Sequence, residues 1–504
     1  MQAKPIVAAL LLSATFAGHA FAAPAFDDFT IVPSVGVPTS AASVKIDSIR
    51  PTPVLTRGAK GQWDSVDLLN PSVIRFHGTL MNYYSGYDGK VWRTGLATSK
   101  DGITWEKYAN NPVLSPTSND WDVSYIAANG SAIVWKGKIL YFYQGVDKAG
   151  KGQIGLATST DGIKFTKYKS PVLSLGIRHT WDGGAVGDPY VIAKGGFLYL
   201  YYLGQNDLGV QRLGVARSED GIHWVRSLSN PILDVGTYGT FDENGLGEPS
   251  IAYSPPYFYM LYTGRSRTET RNVGYAISTD GINWKKMSLN GLVSPQQSSP
   301  WNSKVICDST LLSTDAGKWM VWFGGGDKPE PAQNLNGQVG LMTIDLTQGR
   351  DDKYFDANAD WSKTPIHSTD LLRGSFTIEG DPGRRHAWVG PTSYITFPAS
   401  AMNKGGALQV NGWVPAAKIS AATKSSEKDQ ISVVVNGKSV ASKEFTTDDA
   451  FEISVPVDTV RASVGDNDFI EVTLQATRSF VPAEVGLGPD KRRLALTVSA
   501  IGFN

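Results

Sequence analysis

Five positions along the chain carry carboxyl or carboxamide side chains at the same place in a repeated unit. The unit has a period of about sixty residues, and its copies begin at Trp63, Trp121, Trp181, Phe241 and Trp301. Just ahead of the first strand-like segment of each copy, one position changes its chemistry: Asn70, Asn129, Asp188, Glu248 and Asp308. Carboxyl groups that meet in one site can differ in protonation, so such a set can carry acid–base catalysis.

Two of these positions have matching neighbours, Gly187-Asp188-Pro189 and Gly247-Glu248-Pro249. The first copy has Asn70 there, but Asp67 stands three residues earlier. The other copies have no acid near the place of Asp67, so this residue departs from its own repeat. We predict Asp67, Asp188 and Glu248 to be the catalytic acids. Capping and turn chemistry at strand starts is the alternative for this trio.

Four short strands follow in each complete copy, bounded by Gly, Asp and Pro turns that are typical of β-hairpins. The repeat predicts an all-β domain, a five-bladed β-propeller, over residues 51–346. The fifth copy lacks its last strand, and Val54-Leu55 resembles the segment that ends the other copies. We therefore expect Val54-Leu55 to complete the fifth blade and close the ring. The starts of the innermost strands then meet at one mouth.

Other acids recur in every complete copy, which indicates a structural role. One set lies in the Asp-Gly turns: Asp101, Asp161, Asp220 and Asp280. An aspartate in such a turn accepts hydrogen bonds from backbone N–H groups, and the glycine tolerates positive φ. A second set follows the aromatic residue that begins each unit: Asp64, Asp122, Asp182 and Asp242. We expect both sets to stabilise the scaffold.

The two ends of the chain differ from the repeat. Lys4, an apolar run and Ala20-Phe21-Ala22 predict a signal peptide over residues 1–22, so we expect a periplasmic or secreted protein. Residues 23–50 are predicted to be an N-terminal arm or linker. Residues 347–504 lack the repeat, contain the hairpin signal Asn436-Gly437, and predict an accessory all-β domain, most simply a β-sandwich.

Charge and cysteine content exclude several classes of protein. The 47 basic and 47 acidic residues balance, and no long basic stripe argues for a nucleic-acid partner. No segment is long and apolar enough for membrane insertion. Cys307 is the only cysteine, so no intrachain disulfide can form, and we expect a buried thiol. We expect a monomer.

With these motifs the chain resembles the five-bladed propeller glycoside hydrolases, the superfamily of arabinanases, β-xylosidases, invertases and levanases. Members carry an Asp in blade one, an Asp before Pro in blade three and a Glu in blade four. Asp67, Asp188 and Glu248 match these places. The resemblance implies that Glu248 is the general acid, with a raised pKa, and that Asp188 tunes that pKa. Asp67 would be the base acting through water, or the nucleophile.

The chain departs from the family pattern in several places. Asn70 stands before Pro71 where many members have Asp, which leaves Asp64 or Asp308 as alternative bases. The invertase-type Asn-Asp-Pro and Glu-Cys elements are absent. We expect no required cofactor and no metal in catalysis. A structural calcium ion stays open, because some arabinanases hold one near the axis with a blade-five His that is lacking here.

The remaining mouth positions are candidates for contacts with a carbohydrate substrate. A related branch of the superfamily cleaves with phosphate, and Arg265 and Arg267 could bind that anion, or else substrate hydroxyls or rim carboxylates. His179 could equally be a plain loop residue. The predicted substrate-binding residues are Asn70, Tyr87, Asn129, His179, Gln205, Arg265, Arg267 and Asp308.

The sequence thus predicts an exported glycosidase that acts on a poly- or oligosaccharide, either arabinan- or xylan-like or a bacterial exopolysaccharide. Two alternatives stay open: a non-catalytic propeller for glycan binding or polysaccharide assembly, and a phosphate-dependent phosphorylase. The enzyme is favoured because three blades diverge from one another with acids.

Overall fold

The computed structural model describes residues 42–504, except for 118–120, 195, 255–256, 296–298, 315–317, 330–332, 348–353, 361–370, 404 and 466–468. The predicted signal peptide and most of the predicted arm therefore lie outside the described residues.

Short strands dominate the N-terminal part, as the hairpin signals predict. Their bounds are β1 (Ser43–Ile49), β2 (Asp67–Phe76), β3 (Thr79–Tyr87), β4 (Trp92–Ser99), β5 (Glu106–Lys107), β6 (Ile126–Trp135), β7 (Lys138–Val146), β8 (Gly152–Ser159), β9 (Thr166–Lys167), β10 (Ala185–Lys194), β11 (Phe197–Gln205), β12 (Gln211–Ser218), β13 (Val225–Arg226), β14 (Gly245–Ser254), β15 (Tyr257–Arg265), β16 (Arg271–Ser278), β17 (Lys285–Lys286), β18 (Val305–Ser313), β19 (Trp319–Gly326) and β20 (Gln338–Thr347). A 3₁₀ helix, Pro300–Asn302, precedes β18.

These strands form repeated antiparallel units. Units one to four each hold four consecutive strands, from β2–β5 to β14–β17, and unit five holds β18–β20. The first strand of each unit contacts the first strands of both neighbours, and β18 contacts β2, so the ring of described units is closed. The predicted all-β class is confirmed. Side chains at the starts of these first strands consequently meet around one axis.

The ring closes through the N-terminal segment, as predicted. Val54 donates its N–H to the Val339 carbonyl at 2.8 Å, and Val339 donates to Leu55 at 3.0 Å. The same bridge joins Leu114 to Thr94 in unit one. The closure is more extensive than expected, because Ser43–Ile49 is not a free arm but pairs along β20 as the fourth strand of unit five.

Aromatic residues fill the space between units. The second strands carry tyrosines that are fully buried, such as Tyr83, Tyr141 and Tyr201. Trp181, which begins unit three, packs flat on its own sheet, where a Cβ on Gly204 would lie 2.2 Å from the indole. Glycine is therefore required at the end of the second strand.

The C-terminal part has its own core and nine strands among its described residues. Their bounds are β21 (Tyr354–Asp356), β22 (Arg373–Glu379), β23 (His386–Pro398), β24 (Ala407–Val414), β25 (Asp429–Val435), β26 (Lys438–Phe445), β27 (Asp449–Pro456), β28 (Phe469–Ala476) and β29 (Leu496–Phe503). Its helices are α1 (Ala416–Thr423), α2 (Val457–Val464) and the 3₁₀ segments Ala399–Asn403 and Pro482–Val485.

Hydrogen bonding connects these nine strands in one sheet, with the path β26-β25-β28-β23-β29-β24-β27. The predicted strands and the Asn436-Gly437 turn are present, with φ of 46° and 81° in the turn. The sheet is continuous because the long strand β23 pairs with β28 near its end and with β29 near its start. The division into two sandwich layers stays a prediction.

Charged side chains join the C-terminal domain to the propeller at the far ends of the inner strands. Lys194, at the end of β10, pairs with Glu471 and donates to Thr396. Arg373 donates to the Thr279 carbonyl at 3.3 Å. This contact lies away from the mouth, and none of the described residues of the C-terminal domain lines the cavity described below. Among the described residues, no helix is long and apolar enough to cross a membrane.

Candidate active site

The five variable positions share one unusual backbone conformation. Each lies in the first strand of its unit, at a β-bulge where the register with the second strand shifts. Their φ angles are positive: 47° at Asn70, 49° at Asn129, 44° at Asp188, 53° at Glu248 and 54° at Asp308. Positive φ is uncommon outside glycine, and bulges with such strain concentrate at functional sites, where they re-aim a side chain. Each of the five units thus contains the same strained β-bulge.

All five side chains line a cavity of about 480 Å³ at the mouth. This size is suitable for a small ligand. Aromatic residues and carboxamides supply further parts of the wall, namely Tyr87, Trp92, Tyr125, Gln144, Gln205 and Gln211. Two cations, Lys90 and Arg271, also line it.

Hydrogen bonds connect the bulges of neighbouring units. Asn70 donates its N–H to Asp308 Oδ2 at 3.4 Å, and Asp308 donates its N–H to Glu248 Oε2 at 3.2 Å. The Glu248 N–H in turn bonds the Asp188 carboxyl, which also bonds the Asn129 side chain. Each acid is therefore held by the backbone of the next unit, so the ring positions its own side chains.

Glu248 and Asp308 form a closely coupled pair of carboxyl groups. Asp308 is 5% exposed. Its Oδ1 has no hydrogen-bond partner among the described residues, unless a proton on one of the two carboxyls forms a bond between them. Burial and the charge of Glu248 raise the pKa of Asp308 well above its usual value. Burial also opposes ionisation of Glu248, but hydrogen bonds from Asp308 and the charge of Arg271 outweigh it and lower the Glu248 pKa. Within the pair, Asp308 is therefore the carboxyl that is harder to ionise and Glu248 the one that is easier to ionise.

For Asp188, in contrast to Glu248, the effects that raise the pKa outweigh those that lower it. Burial, followed by the negative charge of Glu248, raises its pKa from 3.8 to about 7. Asp188 is therefore protonated in a large fraction of molecules near neutral pH, beside an ionised Glu248. The raised pKa expected for Glu248 is wrong, because Asp308 and Arg271 stabilise its charged form. Two carboxyls with separated pKa values are the usual basis of acid–base division of labour.

Arg271 and two hydroxyl groups are site residues that the sequence did not indicate. Arg271 begins β16, is 8% exposed, and lies in the field of Glu248 and Asp308. Ser85 accepts the Asn129 N–H at 2.9 Å and Thr263 accepts the Asp308 N–H at 3.1 Å, so each supports a bulge of the following unit. These positions vary among units without an obvious pattern, which is why the repeat did not reveal them.

The structure brings together most of the predicted site residues. Those that line the cavity are Asn70, Tyr87, Asn129, Asp188, Gln205, Glu248 and Asp308. Tyr87 contributes little surface, because it is 5% exposed and stacks on Trp92 with ring centroids 4.7 Å apart.

Asp67 does not reach the cavity. It is fully buried, and its two oxygens accept the N–H groups of Asn334 at 2.6 Å and Gly337 at 2.8 Å. The carboxyl therefore joins unit one to the segment before β20. The role of base or nucleophile expected for Asp67 has no support in this placement, since the side chain points into the strand junction.

Three further predicted residues lie outside the cavity lining. His179, whose side chain is 71% exposed, contacts Asp207 with 2.6 Å between Nδ1 and Oδ2. Arg265 pairs with Glu269 at 3.3 Å, and Arg267 pairs with Glu243 at 3.4 Å. Both arginines are thus held by acids of their own unit.

The acids of the scaffold have the structural roles that the repeat predicted. Asp182 is 2% exposed and accepts hydrogen bonds from Tyr202 Oη at 3.0 Å and Arg226 Nε at 2.8 Å. Asp64 makes the same contacts with Tyr84 and Lys107, so it is not an alternative base. The turn aspartates accept backbone N–H groups, as Asp101 does from Ile103 and Thr104 at 2.8 Å.

Glu248, Cys307 and Asp308 have ligand atoms within 4.8 Å of one another. This set does not fit calcium, which prefers many oxygen ligands, because it offers one thiol and two carboxyls. The guanidinium of Arg271 already compensates the charge there. Cys307 is fully buried, as expected.

Comparison with known proteins places the chain beside carbohydrate-active enzymes. Residues 72–239, from β2 to the segment before unit four, match the family model "Glycosyl hydrolases family 32 N-terminal domain". An uncharacterized protein of Mycobacterium tuberculosis is 27% identical over 229 residues, which are 44% of this chain and 74% of that protein. A 1,2-beta-oligomannan phosphorylase of Thermoanaerobacter is 30% identical over 149 residues, 27% of this chain and about half (49%) of the relative.

Solved structures give weaker likenesses. A protein described as a glycoside hydrolase has a TM-score of 0.49 at 16% identity and covers 62% of this chain and 95% of its own. A structure from the GH130 family of mannoside phosphorylases, which contains glycoside hydrolases, has a TM-score of 0.48 at 16% identity, with 62% and 96% covered. The family match agrees with the resemblance to propeller-type glycoside hydrolases over residues 72–239.

Proposed function

We propose that the protein is a glycosidase that hydrolyses a poly- or oligosaccharide at the mouth of the propeller, with Asp188 as the general acid and Glu248 as the ionised carboxylate. The observation that supports this most is the opposite displacement of their two pKa values within one cavity. A protonated Asp188 can donate to the leaving oxygen while Glu248 acts as base through water or as nucleophile.

In this proposal Asp308 is a positioning residue. By holding a proton and donating it towards Glu248, it keeps Glu248 charged without a second negative charge beside it. Arg271 adds to the same effect. Asn70 stands where the resemblance to propeller glycoside hydrolases implies an acid, and its backbone N–H donates to Asp308.

The two roles are separable by the leaving group of the substrate. Asp188→Asn should lose most activity on glycans but retain it on aryl glycosides whose phenolate leaves without protonation. Glu248→Gln should lose activity on both, and added azide should restore turnover if Glu248 is the base or nucleophile. The opposite pattern would exchange the two roles. Full activity of Glu248→Gln would refute catalysis by Glu248, and a parent protein that binds glycan without turnover would favour a non-catalytic glycan-binding protein.

A phosphorylase is the second candidate, and the similarity to the 1,2-beta-oligomannan phosphorylase is its support. Hydrolysis is favoured because Arg265 and Arg267, the arginines expected to bind phosphate, pair with acids outside the cavity lining. Incubation of a cleaved glycan with inorganic phosphate distinguishes the two. Sugar 1-phosphate would establish phosphorolysis, and free sugar at a rate independent of phosphate would establish hydrolysis.

We also propose that the protein is exported to the periplasm or the medium. The support is the basic, then apolar, then small-residue pattern of residues 1–22. N-terminal sequencing of the protein from cell fractions tests this: a mature start after Ala22 is expected, and a cytoplasmic chain that begins at Met1 would contradict it.

A further inference from the structure

Tyr125 is the most exposed aromatic side chain in the cavity lining. Its side chain is 46% exposed, whereas Tyr87 and Trp92 in the same wall are each 5% exposed. Tyr125 and Asp188 line the same cavity, and burial followed by the charge of Asp188 raises the Tyr125 pKa. The exposed ring thus offers a flat apolar face in the cavity that Asp188 also lines.

A local shift of the backbone produces this exposure. In the other four units, the residue four places before the bulge donates its N–H to the end of the second strand: Val66, Gly184, Asn244 and Lys304. In unit two Ser124 makes this bond, to the Val146 carbonyl at 3.0 Å, so one extra residue separates it from Asn129. Tyr125 is that extra residue, and its carbonyl instead accepts the Trp92 N–H at 2.7 Å. The repeat is therefore broken where an aromatic side chain enters the cavity.

The same cavity offers carboxamide groups for hydroxyl recognition. Gln144 lies near the end of β7 beside Gly187, and Gln205 ends β11 with Gln211 opposite it. A carboxamide can donate and accept at once, as a sugar hydroxyl can, so the two kinds of group are complementary.

The charges of the cavity disfavour an acidic sugar. Asp188, Glu248 and Asp308 lie at its base, and Arg271 is compensated by the last two. Lys90 is the other cation in the lining and lies on the exposed turn after Asp88. An anionic sugar bound at the acids would be repelled by Glu248.

We propose that Tyr125 is the platform on which an uncharged glycosyl unit of the substrate stacks, while Gln144 and Gln205 bind its hydroxyl groups. The apolar C–H face of the sugar covers the exposed ring, and the unit lies against Asp188. The inference deepens the proposed function, on which it rests for the glycan nature of the ligand.

Calorimetric binding of mannotriose, xylotriose and arabinotriose to the full-length Glu248→Gln protein tests the platform. At least one of these trisaccharides should bind. Adding Tyr125→Ala should then weaken its Kd about ten- to hundredfold, the loss expected when an aromatic face is removed. Tyr125→Phe should bind as the parent does, because the ring is retained. Tyr168→Ala is the matched control, since Tyr168 is 42% exposed outside the cavity lining and its loss should change nothing.

Several outcomes would overturn the inference. Unchanged affinity in Tyr125→Ala would exclude stacking, and equal losses in Tyr125→Phe and Tyr125→Ala would assign the effect to the hydroxyl. Binding of a galacturonate trimer alone, abolished by Lys90→Ala, would show an acidic substrate, and binding of no trisaccharide would exclude this site for neutral glycans. Binding is read without turnover, so full activity of Glu248→Gln would refute the proposed function separately.

Discussion

Asp182 and Asp188 lie six residues apart in unit three and have opposite roles, although both side chains carry a carboxyl group. Asp182, at the corner of the blade, is satisfied by a tyrosine and an arginine of its own unit. Asp188, on the axis, is buried beside the carboxyl group of Glu248 from unit four, and its pKa rises to about 7. Asp182 is satisfied within its own unit and belongs to the scaffold, whereas Asp188 interacts across units in the cavity and is available for chemistry.

The buried cluster around Asp182, formed by an aspartate, a tyrosine and a cation, is kept or lost as a whole in each unit, which supports this distinction. Units one to four combine Asp, Tyr and a cation, as in Asp242, Tyr262 and Lys286. Unit five has Asn302 and Phe323 there, and in the described residues the Asn302 side chain is buried without a hydrogen-bond partner. On the axis, by contrast, the backbone is constant and only the side chains change.

The largest expected effect separates the two aspartates directly. Asp188→Asn should lower kcat on a glycan about 10²–10⁴-fold with the melting temperature nearly unchanged, because it removes a proton donor. Asp182→Asn should leave kcat of the folded enzyme unchanged. Steady-state kinetics with calorimetry on the two variants checks this, and equal losses of kcat would end the distinction.

The pH dependence of activity also distinguishes Asp188 from Asp182. With Asp188 as acid, kcat/KM should fall as pH rises through about 7, and its acidic limb should lie below 4.5, because the Glu248 pKa is lowered. The folded state binds more protons at Asp188 than the unfolded state between pH 3.8 and about 7, so this group lowers stability as pH rises through that window.

Asp182→Asn provides the matched profile. It should keep both limbs of the activity curve, whereas the slow residual activity of Asp188→Asn should lose the alkaline limb. An alkaline limb that persists in Asp188→Asn would show that another group is the acid.

The structural roles of Asp182 and Asp67 predict that substitutions at these residues affect stability. Asp182→Asn should cost about 1–3 kcal/mol of unfolding free energy, since it weakens buried hydrogen bonds to Tyr202 and Arg226. Asp67→Asn should cost a similar amount, because an amide N–H would face the N–H of Asn334 or Gly337. Urea denaturation measures both.

Activity tests the same two variants independently. We expect the kcat of folded Asp67→Asn to stay close to that of the parent. A loss comparable with that of Asp188→Asn, in a protein that remains folded, would restore the catalytic role first expected for Asp67.

The smallest effect on activity and stability is expected for Arg265, which lies outside the cavity lining. Arg265→Ala removes a partly exposed ion pair with Glu269, and such pairs contribute about 0–1 kcal/mol. Neither kcat nor its dependence on phosphate should change. A phosphate-dependent rate that is lost in Arg265→Ala would instead support the phosphorylase.

The sequence by itself determined the repeated all-β architecture, the closure through Val54-Leu55 and the five axial positions. These follow from local patterns, since strand periodicity, turn residues and spacing are written along the chain. The same patterns separated the scaffold acids from Asp188 and Glu248, because a residue present in every copy serves every copy.

Only the tertiary structure decided which groups act on one another. Asp67 departs from the repeat just as Glu248 does, yet it turns into a strand junction, and spacing along one strand cannot show that. The raised pKa of Asp308, the compensation by Arg271 and the exposure of Tyr125 depend on contacts between units. Charges and hydrogen bonds act through space, so a residue's pKa and accessibility are set by neighbours that are distant in sequence.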